Sequence, residues 1–329
     1  MFGLAIGIGA GLLLPVQTCI NSRLRQALGS PYLSSLGSFL GGTLFLFTVT
    51  LMVNHSVALP HGLIAQQPAW IWLGGLFGVI GLTTNILIFP HLGGVQTTVL
   101  PVSGQILMGL IIDQFGLFGA QQTPLTFLRV VGAVLVLLGV LGAVMLGGQK
   151  MSKKKKRRKP NSPDGRNTMP QENSAGPSSA RLWAMRSLAL FAGFLMASQA
   201  AINGHLGVLV GSSLKAALVS FSIGSTALIL LVTAQRLKVR IRVPAGKSSN
   251  PLWMWFGGVL GALYVLGSAF LVPLIGAGLT IVAALVGMIA GSLAVDKFGV
   301  LEAPKRYVGL PQVISLVVML VGVVLIRLV

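Results

Sequence analysis

Apolar runs of about 20 residues recur along almost the whole chain, separated by short polar stretches. One group of runs covers 2–20, 33–53, 69–89, 95–112 and 127–146; a second covers 184–202, 214–234, 252–271, 274–295 and 308–328. A helix of ~20 residues crosses roughly 30 Å of hydrocarbon, so each run has the length of one bilayer span. The pattern therefore predicts an all-α membrane protein with ten transmembrane helices.

The two groups are copies of each other. The stretch beginning GLLLPVQTCINSRL at Gly11 aligns without a gap on GFLMASQAAINGHL at Gly193. Gln17 falls on Gln199, Asn21 on Asn203, Ser38-Phe39 on Ser220-Phe221, and Gly42 on Gly224. After the next loop, Pro68-Ala-Trp-Ile-Trp faces Pro251-Leu-Trp-Met-Trp, Pro90 faces Pro273, Gly104 faces Gly287, and Asp113-Gln-Phe-Gly faces Asp296-Lys-Phe-Gly. Apolar composition does not explain matched Gln, Asn, Pro and Asp in one order. The expected organisation is a first five-span repeat (1–147), a basic disordered cytoplasmic linker (148–181) and a second five-span repeat (182–329). Five is odd, so consecutive copies enter the membrane from opposite sides. An antiparallel, inverted-topology pair follows, the architecture in which transporters hold substrate between repeats near the midplane.

Charge sets the orientation. Lys and Arg total 24 against 5 Asp and Glu, and the cations sit between apolar runs rather than along one face. That placement argues against nucleic acid as a partner and for the rule that cytoplasmic loops gather Lys and Arg. The gap after the fifth span holds Lys150, Lys153, Lys154, Lys155, Lys156, Arg157, Arg158 and Lys159. With that gap cytoplasmic, both termini are extracytoplasmic and only Arg129, Lys215 and Arg327 fall outside. The expected location is a bacterial inner (plasma) membrane, with the basic stretch Lys153–Lys159 against anionic headgroups of the bilayer. The first run is no ordinary secretory signal, since its cations, Arg23 and Arg25, follow rather than precede it.

Polar side chains at membrane depth need a partner or a cavity. Gln17 and Asn21 are four apart and share a helix face, and Gln199 and Asn203 repeat the pair. They are candidates for the solute pathway; interhelical hydrogen bonding is the alternative. Asn85, Ser103 and Gln105 add polar groups to spans three and four, facing Ser268, Val286 and Met288 in the second copy. Phe39 and Phe221 are candidate pathway walls, with plain aromatic packing as the alternative. Asp113 and Asp296 lie at span ends, where helix-end hydrogen bonding is the expected role, so no carboxylate lies deep in a span. That disfavours carboxylate-based proton/cation antiport. Gly74-x-x-x-Gly78, Gly257-x-x-x-Gly261 and Gly287-x-x-x-Gly291 are signals for close helix packing, and Pro15, Pro90, Pro101 and Pro273 are candidate kinks.

Gln17-x-x-x-Asn21, Gly29-Ser30-Pro31, Ser38-Phe39-x-x-Gly42-Thr43, Gly104-Gln105 and Asp113-x-Phe115-Gly116 together resemble the YdcZ-type branch of the drug/metabolite transporter superfamily. The resemblance implies an inner-membrane exporter whose single-domain members have five spans, here fused as a pair. The second copy departs from the motif at Ser213, Ser225 and Met288. A small-molecule transporter is thus the expected function. A channel or a lipid-moving protein of the same architecture is the alternative. No H-E-x-x-H, Gly-x-Ser-x-Gly or deep carboxylate pair points to an enzyme, and no Cys/His cluster points to a metal or cofactor. Because both halves are fused, a monomer would carry the whole pathway.

Overall fold

A computed structural model describes residues 2–156, 179–244 and 249–328; side chains at 64, 146–156, 268–270, 272–280 and 327–328 lie outside the description. Among the described residues the chain is all-helical, with no strand. In order the helices are α1 (Phe2–Leu28), α2 (Pro31–Asn54), the single turn α3 (Leu63–Gln66), α4 (Gly74–Phe115), α5 (Phe127–Lys156), α6 (Ser179–Leu209), α7 (Ser213–Ala234), α8 (Gly257–Phe298) and α9 (Leu310–Leu328). Seven helices are long and apolar enough to cross a membrane, with Gly257–Gly267 and Leu310–Ile326 as shorter apolar pieces.

Ten predicted spans thus become fewer, longer helices. α4 covers predicted spans three and four, and α8 covers eight and nine. Helical hydrogen bonding runs on through residues 90–94, but Gly93 has φ 80° and ψ 179°, which breaks the helical path. Only glycine adopts that conformation without steric cost. Contacts with α6 give the direction of each arm. Gly74, Gly78 and Gly81 lie against Asn203, Gln199 and Met196, descending along α6. Gln96, Gly104 and Gly119 lie against Arg186, Gly193 and His205, ascending it. The two arms of α4 are therefore antiparallel, folded back at Gly93.

α8 packs on α1 in the same manner. Gly257, Gly261 and Gly267 meet Asn21, Gln17 and Ala10, whereas Ala283, Gly287 and Gly291 meet Gly7, Gly11 and Pro15. Each half thus lays its first helix into the folded-back helix of the other. The buried positions of α1 explain why: Gly7, Gly11, Gln17, Asn21, Leu24 and Leu28 recur at helical spacing and present one small or amide-bearing stripe. Repeat-related glycines make repeat-related crossings. A Cβ on Gly11 would strike the Ala284 carbonyl, and one on Gly193 would strike that of Pro101. Backbones come this close only where side chains are absent.

α2 crosses α7 at Gly42 and Gly224, and α5 pairs with α9 where Gly132 meets Gly322 and Gly139 meets Met319. α5 continues as helix to Lys156 and α6 begins at Ser179, so helix runs into both ends of the stretch read as linker. Residues 157–178, including Arg157, Arg158 and Lys159, lie outside the described residues, as do the side chains of Lys153, Lys154, Lys155 and Lys156.

Candidate functional site

The two amide pairs sit in the glycine grooves of the opposite half. Gln17 is buried against Gly261 and Asn21 against Gly257; Gln199 lies half-buried against Gly78 and Asn203 against Gly74. A Cβ on Gly261 would come 2.7 Å from the Gln17 amide nitrogen, and one on Gly78 would come 2.8 Å from that of Gln199. The Gly-x-x-x-Gly pairs are thus more than packing signals, because they make the space the amides occupy. The shared four-residue spacing, Gln17/Asn21 against Gly257/Gly261, was the available sequence clue.

Asn21 is fully buried, and its Nδ2 donates to Ser38 Oγ at 3.3 Å while Ser34 Oγ donates to the Asn21 carbonyl at 2.6 Å. Asn21 Oδ1 is buried without a hydrogen-bond partner, and so is Asn85 Oδ1. A buried acceptor left unmade costs free energy, about 1–3 kcal/mol, and is a natural point for a ligand donor or water. Gln105 Nε2 approaches Met196 Sδ at 4.0 Å, a weak contact that leaves most of its hydrogen-bonding capacity open. Ser103 differs: it is fully buried and its hydroxyl donates to the Val99 carbonyl of its own helix at 2.6 Å. The side chain of Ser268, the counterpart of Asn85, lies outside the described residues.

Between the amide pairs lies an aromatic seam. Phe39 and Phe221 meet with ring centroids 5.1 Å apart at 38°. Phe39 fills the space a Cβ on Gly224 would take, and Phe221 does the same at Gly42. Beside them Thr43 Oγ1 and Ser225 Oγ share a hydrogen bond of 2.9 Å, joining the two halves at repeat-related positions. An open recess of about 400 Å³ bounded by Trp72, Leu73, Leu76 and Ile223 is apolar and does not include the amides. The amides themselves occupy tight helix contacts.

Charged groups gather at the helix ends. Pro90 lacks an N–H, so the Ile86 carbonyl four residues earlier loses its helical donor. Arg25 supplies one, donating to the carbonyls of Ile86 (3.0 Å) and Leu87 (3.2 Å). Arg306 donates to the carbonyls of Pro90 (3.2 Å) and His91 (3.0 Å), just before the break at Gly93. Asp296 receives the N–H groups of Gly94 (2.6 Å) and Val95 (2.9 Å), which open the second arm. Cations on the carbonyl end and an anion on the N–H end both suit the helix dipole. Asp296 thus has the helix-end role its position suggested, but for the neighbouring arm rather than its own. Burial pulls the Arg306 guanidinium below its ordinary value, with Asp296 opposing that shift. Asp113 pairs with Arg129 at 3.2 Å at the other end of the bundle.

The repeat relates these ends but does not equate them. The Arg306 N–H donates to the Asp296 carbonyl and that of Thr123 to the Asp113 carbonyl, both at 2.7 Å. At the corresponding positions one step away, chemistry diverges. Arg23, 2% exposed, pairs with Glu302 at 3.0 Å, whereas His205 lies beside Gly119 and stacks on Trp70 at 5.5 Å. Arg23, Arg25 and Arg306 could be counted from sequence, but their partners could not.

The family described as "Putative inner membrane exporter, YdcZ" matches this sequence twice, over residues 2–142 and 184–325. The chain belongs to that family. Inner membrane protein YdcZ of Escherichia coli (strain K12) is 28% identical over 136 residues, which are 90% of that protein and 41% of this chain. A relative the size of one repeat is what a duplicated YdcZ-type sequence should resemble. Family and apolar helices together make the chain a multi-pass membrane protein of transporter type.

Proposed function

We propose that this YdcZ-family chain moves a small solute, in the export direction, by alternating access between two inverted five-span repeats in a bacterial inner membrane. The observation that carries the reading is the placement of Gln17/Asn21 and Gln199/Asn203 on either side of the Phe39–Phe221 contact, each pair seated in the other half. The antiparallel arms of α4 and α8 support ten crossings, since each folded-back helix supplies two. Interchanging the halves exchanges the α1–α8 and α6–α4 contacts, as a two-fold axis in the membrane plane requires. Rocking one half on the other would part the aromatic seam and the amide grooves first toward one side and then the other.

The charges at the bundle ends support an orientation. Arg23, Arg25, Arg186 and Arg306 lie at the end where α6 begins, and Asp113–Arg129 and Lys215 lie at the opposite end. Charge supports the first end as the cytoplasmic one, a reading in which the linker is inside and both termini are outside. The solute is a hydrogen-bonding molecule, read from the open acceptors of Asn21 and Asn85 and the carboxamides of Gln17, Gln199 and Gln105.

The test is exchange in proteoliposomes. Vesicles holding purified protein are loaded with pooled metabolites, and uptake and counterflow are followed by mass spectrometry. Saturable counterflow that falls at least tenfold in Gln17→Leu and Gln199→Leu, with both variants folded, supports the reading. Unsaturable conductance would assign a channel, and scrambling of labelled lipid a lipid mover.

A further inference from the structure

The turn at Gly93 gathers more positive charge than the protein neutralises. Arg25 donates only to the carbonyls of Ile86 and Leu87, Arg306 only to those of Pro90 and His91, and Arg186 Nε only to Gln96 Oε1 at 3.3 Å. All five acceptors are neutral and fall within residues 86–96. A guanidinium carries five N–H donors, so each arginine keeps several unused. Among the described residues none of the three forms a direct ion pair; the carboxylate of Asp296, bound to two backbone N–H groups, acts on Arg306 through space and leaves three cations against one anion. Partly buried cations in excess of their counter-ions are costly, and an anion arriving from outside relieves that cost.

We propose that Arg25, Arg186 and Arg306, grouped around the Gly93 turn, bind the phosphate headgroup of an anionic phospholipid. The surroundings select a lipid over a soluble anion. Trp183 is 49% exposed and lies under the Arg186 guanidinium at 4.9 Å, the arrangement of an interfacial anchor. Phe191, 54% exposed, lies about two helical turns further into α6 and offers apolar surface to acyl chains. Basic pockets between helix ends on the cytoplasmic side are suited to anionic headgroups. His91 senses the same field: burial first, then Arg181, Arg25 and Arg306, hold its imidazole below the ordinary value. The basic stretch 153–159 would add long-range attraction, while the turn supplies the specific seat.

The proposal concerns the lipid-facing surface and does not depend on the solute or the transport cycle. Thermal unfolding of the purified full chain is measured in neutral micelles doped with phosphatidylglycerol, with phosphatidylcholine, or with inorganic phosphate. Phosphatidylglycerol should raise the midpoint by about 3 °C or more over phosphatidylcholine. Arg186→Gln should lose at least half of that gain while melting like the parent in phosphatidylcholine. Lys238→Gln/Arg240→Gln, which removes two cations elsewhere, should keep the gain. Mass spectrometry of lipid retained after detergent exchange gives a second readout, with bound phosphatidylglycerol reduced in Arg186→Gln and also in Arg25→Lys. An equal gain in Arg186→Gln, an equal effect of the two lipids, or full reproduction by millimolar inorganic phosphate would overturn the assignment.

Discussion

Phe39 and Phe221 occupy repeat-related positions and stack on each other with centroids 5.1 Å apart, each ring set over a glycine of the other's helix. A Cβ on Gly42 would meet Phe221 Cδ1 at 2.8 Å and the Gly258 carbonyl at 3.1 Å. Gly42→Val should therefore overpack the seam and destabilise the protein by about 1–3 kcal/mol. Gly9→Ala has open space around its Cβ and should be neutral or stabilising by up to about 1 kcal/mol. Thermal midpoints in detergent compare them, and equal midpoints would remove the seam as a packed contact.

The glycines under the amides make a sharper prediction. Gly78→Ala and Gly261→Ala put a methyl where Gln199 and Gln17 now lie, within 2.8 Å of the amide nitrogens. Flexible side chains can rotate away, so stability should fall by no more than about 1–2 kcal/mol. Counterflow should fall much further, because the amide is displaced from its seat. Parent-like flux in a folded Gly261→Ala variant would assign Gln17 to helix joining alone.

Ion pairing at Arg23 has a direction. The Arg23 side chain is 2% exposed, whereas that of Glu302 is 36% exposed. Glu302→Ala strands a buried cation and should cost about 1–3 kcal/mol. Arg23→Met keeps the packed stem, removes the buried charge itself and should cost less. Urea or thermal unfolding of both variants orders them, and a larger loss in Arg23→Met contradicts the argument.

Much of this architecture is readable from residues. The apolar runs place every long helix, and the dip Pro90-His91-Leu92-Gly93-Gly94 marks where α4 folds back. Helical hydrogen bonding nevertheless bridges the one-residue break in that dip, and two predicted spans become one 42-residue element. Partner choice was the illegible part. Periodicity says that Gln17 and Asn21 share a face, but it does not say that the face meets Gly257 and Gly261, some 240 residues away. Ser103 was equally opaque, because a serine in mid-helix can face a cavity or return its hydroxyl to the carbonyl four residues back, and here it does the latter.

Gly93 and Asp296 act on the same turn. Gly93→Ala forces an L residue to φ 80° and pushes its methyl into the Arg306 guanidinium. About 1–3 kcal/mol is expected from the backbone alone. Asp296→Asn keeps the shape, but its single amide oxygen can accept from only one of Gly94 and Val95 and its NH2 then faces the other N–H, a loss of about 1–3 kcal/mol. Both substitutions disturb one turn, so the double variant should cost clearly less than the two single losses added together. Simple additivity in the unfolding series would separate the two residues.

Membrane sidedness can be tested without fusions, because Cys19 is the chain's one cysteine and is buried. A Cys19→Ser background should fold, as the change removes a small side chain from a packed site at a cost of about 1–2 kcal/mol. On that background Ser56→Cys, half-buried, and Lys238→Cys, exposed, place thiols on the α2–α3 and α7–α8 connections. In intact cells a membrane-impermeant maleimide should label Ser56→Cys and spare Lys238→Cys; in inverted vesicles the pattern should reverse. The logic needs only that residues 31–54 make one crossing and that Arg23 and Arg25 lie on the side that retains cations. Labelling of both thiols from one face would put α2 and α7 in the same orientation. The copies would then be parallel, and alternating exposure of one shared seam would lose its structural basis.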